Sequence, residues 1–208
     1  MLTRWLKSRY ARGAVVAGFA LSLALTGSAG ARADNGSDTV RTLYATLLQV
    51  MQNGPSLGAR GRYEQIEPVI GRVFDVPLMT RLAVGPSWDN LGQAQQQQVT
   101  EAFGRYIAAV YAERFDSYAG EQLQVTGEEN SASGPIVLSQ IIKSDGEPVH
   151  INYLMQQSGY GWQIADVYLN GTISEMATRR SEFDSILRSQ GVDGLIATLN
   201  AKATALGA

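Results

Sequence analysis

The sequence predicts an α+β fold: an antiparallel sheet of about four strands, covered on one face by helices from both ends of the chain. Three observations predict it. Apolar residues recur every three to four positions before residue 118, they alternate every second position from 123 to 168, and helical spacing returns after Asn170-Gly171. Helices, then a meander, then helices pack as layers with the helices on one sheet face, in a cone-like shape.

The first 33 residues stand apart. Arg4, Lys7, Arg9 and Arg12 precede an apolar run, Ala14 to Thr26, and Ala31-Arg32-Ala33 supplies a small-x-small cleavage pattern. Residues 1–33 therefore read as a signal peptide and 34–208 as a single domain, with export to the periplasm and a mature start at Asp34. Of the chain's 17 basic and 19 acidic residues, that segment holds five basic and no acidic ones, leaving 12 against 19 and a formal charge of −7. So acidic a domain repels phosphate backbones, and nucleic acid is not an expected partner. The chain has no cysteine, which excludes a lipidated-cysteine anchor, disulfides and thiolate metal sites.

Within the domain, Val40, Leu43, Leu47, Val50 and Met51 mark an amphipathic helix over residues 39–51, closed by Asn53-Gly54-Pro55. Tyr63, Ile66, Ile70 and Phe74 continue at helical spacing, with a kink or restart expected at Pro68. Asp75-Val76-Pro77 opens a short helix carrying Met79, Leu82 and Ala83, and Gly85-Pro86 ends it. Residues 93–118 form the next helix. Its apolar set, including Val99, Phe103, Tyr106, Ile107, Val110 and Phe115, is wider than one face requires, so the helix is buried on two sides. Periodicity alone favours an ordinary core helix here, with no cavity beside it.

Leu123 and Val125, residues 136–142, Val149 to Met155 and Trp162 to Tyr168 read as four strands. The turns Ser144-Asp145-Gly146 and Ser158-Gly159-Tyr160-Gly161 are short enough for hairpins. Ile173, Met176, Ala177, Arg180, Phe183 and Leu187 mark a helix ending at Gly191, and Asp193 caps a last one with Leu195, Ile196, Leu199 and Leu206.

Chemistry-bearing patterns are sparse. The single histidine, His150, alternates with Val149 and Ile151 and is expected on the outer face; no pair of histidines or carboxylate cluster has metal-ligand spacing. Neither Gly54-x-x-x-Gly58-x-x-Gly61 nor Gly159-x-Gly161 completes a phosphate-cradling motif. No cofactor or catalytic residue is expected. Strict alternation puts Asp166 on the face of Trp162, Ile164 and Tyr168, where a carboxylate needs partners. It serves either as general base of a small NTF2-like enzyme or as a structural acceptor for Arg180 or for helix amides near Thr172, and the missing second catalytic group favours the structural role.

Trp162-Gln163, Asp166-Val167, Asn170-Gly171, Ser174, Arg180-Ser181-Glu182-Phe183, Ile186-Leu187, Gly191 and Asp193-Gly194-Leu195-Ile196-x-x-Leu199 resemble the closing signature of the MlaC, or toluene-tolerance, family of periplasmic phospholipid-binding proteins. The resemblance extends back through residues 106–118 and 74–85. Arg81-Leu82-Ala83-Val84-Gly85-Pro86 and Arg114-Phe115-Asp116-x-Tyr118-Ala119-Gly120 are similar to its hopanoid-associated HpnM branch. The resemblance implies a monomeric carrier that encloses the apolar part of a phospholipid or hopanoid, with the head group at the mouth. It also implies handover between an inner-membrane ABC transporter bearing an MCE domain and an outer-membrane lipoprotein complex, maintaining outer-membrane lipid asymmetry. Gln156 and Gln157 stand where the family commonly has basic residues. The expected cavity lining is Phe74, Met79, Leu82, Phe103, Tyr106, Val110, Ile151, Tyr153, Met155, Trp162, Ile164 and Tyr168, with Asp166 and Arg180 as structural polar residues. An enzyme using Asp166, and an interaction subunit with a filled core, are the alternatives.

Overall fold

The computed structural model describes residues 35–208. The expected signal peptide, residues 1–33, and its cleavage site lie outside these. Four helices and five strands follow in the order α1 (Gly36–Val73), α2 (Val76–Val84), α3 (Gln93–Arg114), β1 (Gln122–Ser131), β2 (Gly134–Ile142), β3 (Pro148–Ser158), β4 (Gly161–Leu169), β5 (Ile173–Ser174) and α4 (Glu175–Ala205), with a 3-10 turn over Gly85–Asn90. The strands pair antiparallel in sequence order, β1-β2-β3-β4-β5. This is the expected α+β architecture with one additional short strand. Asn170 and Gly171 both take positive φ (50° and 77°), and the Thr172 N–H donates to the Leu169 carbonyl at 3.2 Å. That backbone makes the tight two-residue turn that Asn-Gly favours, so the pair folds β5 back onto β4 instead of ending the sheet.

Asn35 caps α1 by accepting from the Asp38 N–H at 3.0 Å. The helix does not stop at Asn53-Gly54-Pro55, nor break at Pro68. The expected interruption falls instead at Gly58, where α1 kinks at φ 63° and ψ 180°, a conformation open to glycine without a Cβ penalty. Gly54 has another role: a Cβ there would fall 1.9 Å from the Asp116 carbonyl oxygen, just beyond α3. Arg62 secures the same contact by donating to the carbonyls of Ala112 at 2.8 Å and Gly54 at 3.2 Å. What reads in sequence as a helix stop is therefore the place where two helices nearly touch.

Helix α2 starts as its residues predict, with Asp75 accepting from the Leu78 N–H at 3.0 Å, and it ends at Gly85. Helix α3 ends at Arg114, four residues before the expected end. It packs against α1, α2 and α4, through contacts such as Phe103 edge-to-face on Phe183 at 5.3 Å.

The first half of α1 covers one end of the sheet. Gly36 lies against Met155 and Val137, the Thr39 hydroxyl donates to the Trp162 carbonyl at 2.8 Å, and Ser37 bonds Glu128 of β1 through its hydroxyl and its N–H. The end of α1 is tied to β4, where the Asp75 N–H donates to the Ile164 carbonyl at 2.9 Å. The opposite end of the same sheet face remains for the cavity.

Candidate functional site

Between α3 and the uncovered end of the sheet lies a cavity of about 480 Å³, within the size range of small-molecule and cofactor sites. Phe74, Met79, the α3 residues Ile107, Val110, Tyr111 and Arg114, and Phe115 just after that helix form one wall. The sheet gives Ile141, Val149, Ile151, Tyr153, Val167 and Leu169. Residues 170–179 close the third side through Asn170, Ile173, Glu175, Met176, Thr178 and Arg179. Burial orients it: Phe74, Met79, Ile141 and Tyr153 are inaccessible at the deep end, whereas Asn170, Ile173 and Thr178 are exposed at the mouth.

The deep end carries polar groups that satisfy one another. Tyr153 donates to the Tyr44 hydroxyl at 3.3 Å, Tyr44 and Ser139 share a hydrogen bond of 2.6 Å, and Ser139 donates to the Ile151 carbonyl. Tyr111 joins through its own hydrogen bond to Tyr153, with its ring edge-on to Phe74 at 5.6 Å and stacked on Phe115 at 5.8 Å. Burial pushes the Tyr111 and Tyr153 hydroxyls above the ordinary tyrosine value. They therefore remain neutral hydrogen-bonded groups and add no charge to the deep end.

Charge gathers on the α4 side. Arg179 donates to Glu182 at 2.8 Å and to the Tyr106 hydroxyl at 3.3 Å, and its guanidinium carbon lies 5.3 Å from the Tyr106 ring centroid. Its other terminal nitrogen reaches Glu175 at 3.5 Å. Burial disfavours the Arg179 charge, but Tyr106, Glu175 and Glu182 outweigh it and hold the pKa above the ordinary arginine value.

Of the twelve residues expected to line the cavity, Phe74, Met79, Val110, Ile151 and Tyr153 do so; the other seven lie elsewhere. Leu82 is 40% exposed on α2. Phe103 packs on Phe183 in the helical layer, and the Tyr106 hydroxyl is taken by Arg179. Met155, Trp162 and Ile164 occupy the part of the sheet already covered by α1 and Phe74. Tyr168 is displaced by a β-bulge. Leu154 pairs with Asp166 but Met155 with Ile164, so Ala165 is an extra residue in β4. One extra residue reverses the faces. Val167, opposite Tyr153, joins the cavity wall, while Asp166 and Tyr168 turn to the other face, away from Ile164. His150 is exposed.

Asp166 is thus removed from the cavity. Its Oδ1 accepts from the Val167 N–H at 2.7 Å and the Met176 N–H at 3.1 Å, and its Oδ2 accepts from the Ser174 hydroxyl at 2.5 Å. Ser174 in turn caps α4 by accepting from the Ala177 N–H at 2.9 Å. These bonds give the carboxylate the structural role, with one strand amide and one helix amide, that of Met176, among its partners. Arg180 is not one of them. Its guanidinium lies against Gly85, where a Cβ would fall 2.7 Å from Nε, and so links α4 to the end of α2. The partners of Asp166 are two backbone amides and a capping hydroxyl, and among the described residues no cluster of side chains fits a metal ion.

Expectation from pattern missed Ile107, Tyr111, Arg114, Phe115, Ile141, Val149, Val167, Leu169 and the whole third wall. Val149 shares the alternation of Ile151 and was open to prediction. The third wall depends on the Asn170-Gly171 turn, which carries Ile173 and Glu175 back across the mouth.

Two comparisons with known proteins bear on this arrangement. A protein-family model described as MlaC protein matches residues 41–201. A solved phospholipid-binding protein from Ralstonia solanacearum, determined in complex with a phospholipid, superposes with a TM-score of 0.71 at 22% sequence identity, covering 84% of this chain and 100% of that one. That likeness is one of fold.

Proposed function

The chain belongs to the MlaC protein family, and on that premise we propose that it is a periplasmic lipid carrier. It encloses the apolar part of one membrane lipid, a phospholipid or a hopanoid, and shuttles it between the inner and outer membranes without catalysis. The observation that carries this reading is the cavity itself: apolar walls from α3 and from strands β2 to β4, with a mouth rimmed by Asn170, Thr178 and Arg179. A head group belongs at that rim and the tails belong inside.

The thermodynamics fit a carrier. A two-tailed lipid has about thirty methylenes, and at roughly 0.8 kcal/mol each their exposure to water would cost on the order of 25 kcal/mol. A carrier must offer tails an environment close to that of a bilayer, so that uptake and release are nearly balanced. Among the described residues no helix is long and apolar enough to cross a bilayer. In this proposal the lipid is handed between the MCE-bearing ABC transporter of the inner membrane and an outer-membrane lipoprotein complex.

The test is extraction. Protein taken from the periplasm of its own host, with an N-terminus reading Asp34-Asn35-Gly36, should yield one lipid per chain on denaturing solvent extraction and mass spectrometry. Protein that is folded yet yields no lipid, or that retains Met1 and remains in the cytoplasm, would contradict the proposal.

A further inference from the structure

Glu175 is the first residue of α4 and part of the cavity wall, and it is only 9% exposed. Its Oε1 is the one buried side-chain nitrogen or oxygen among the described residues that has no hydrogen-bond partner. Its Oε2 has only the 3.5 Å contact with Arg179, whose other terminal nitrogen is held more closely by Glu182 at 2.8 Å. Buried polar atoms are nearly always satisfied, and an exception calls for a cause. Tyr111, Ile173 and Met176 share this wall with it, and Tyr111 is near enough to feel its charge.

We propose that Glu175 accepts a hydrogen bond from the bound ligand, so that the cavity selects lipids carrying a hydroxyl or ammonium donor at the edge of their apolar part. The inference rests on the lipid-carrier reading and narrows it. Three kinds of group can be brought to this wall. A phosphate or carboxylate would place a second negative charge against the first, and an alkyl chain would leave the oxygen unpaired. A hydroxyl or ammonium group completes it, with a charge-assisted hydrogen bond that is stronger than one between neutral groups. Rotation about the last side-chain bond exchanges the two oxygens, so either can meet the donor.

The probes are monodecanoyl glycerol and its di-O-methyl ether, which share an acyl chain and differ in the two hydroxyl donors. Affinities are read by displacement of a bound apolar dye. The wild-type protein should bind the diol at least about tenfold more tightly than the ether, although the ether is the more hydrophobic of the two. In Glu175→Met, which removes the acceptor, the ratio should fall to near one. In Glu175→Gln, which keeps the size and loses the charge, it should fall by about threefold. The wild-type and Glu175→Gln ratios decide the matter even where Glu175→Met does not fold. Equal wild-type affinities, or a preference unchanged in the variants, would overturn this assignment and leave the lipid-carrier reading standing. Failure of the wild type to bind either probe would overturn both.

Discussion

Val110→Trp should remove most lipid capture while leaving the protein folded. Val110 is half-buried on α3 and lines the cavity, so a larger ring there enters open space. The penalty of roughly 1–3 kcal/mol for overpacking a filled core does not apply in full. An indole in place of an isopropyl group displaces about three methylenes of bound tail, and at about 0.8 kcal/mol each this is roughly 2.4 kcal/mol, or about fiftyfold in affinity. Extracted lipid per chain should drop accordingly, with the melting curve of the lipid-free protein nearly unchanged. Full lipid loading in a folded Val110→Trp protein would place the ligand elsewhere.

Asp166→Ala should act in the opposite way, on stability more than on binding. It strands the buried N–H groups of Val167 and Met176 and frees the Ser174 hydroxyl that caps α4. Each stranded donor costs about 1–3 kcal/mol, so the total loss should be roughly 3–5 kcal/mol in denaturant unfolding. Asp166→Asn should lose less, about 1–3 kcal/mol, because an amide oxygen still accepts while Ser174 can reverse its bond. Lipid capture by the folded fraction should persist in both. An Asp166 that acted as a general base would behave otherwise, with stability barely altered and a turnover abolished.

The two variants also mark where sequence pattern was informative and where it failed. Local chemistry was legible. The cap at Asp75, the end of α2 at Gly85, the meander and the inward set Ile151 and Tyr153 all follow from side-chain type and spacing. Asp166 was recognisable as a carboxylate in need of partners, but its face was not. The extra residue Ala165 is defined only by how β4 pairs with β3, and no property of β4 alone reveals it. Met155, Trp162 and Ile164 have the apolar character of a cavity wall, yet α1 reaches that end of the sheet first. A covered core and a cavity lining share one hydrophobic pattern, and the difference between them is tertiary. Glu175 and Arg179 escaped for a related reason. The periodic reading of α4 followed apolar residues, whereas the turn before it brings its polar first turn to the mouth.

Photo-crosslinking along β3 tests the central claim most directly, that lipid is enclosed between α3 and the sheet. Ile151 and Tyr153 line the cavity, whereas His150 is exposed and Asn152 accepts from the Ser139 N–H at 3.2 Å on the other face. A photoreactive side chain at 151 or 153 should capture lipid, and one at 150 or 152 should not. Equal lipid capture at all four positions, or capture of protein groups alone at 151 and 153, would contradict the account.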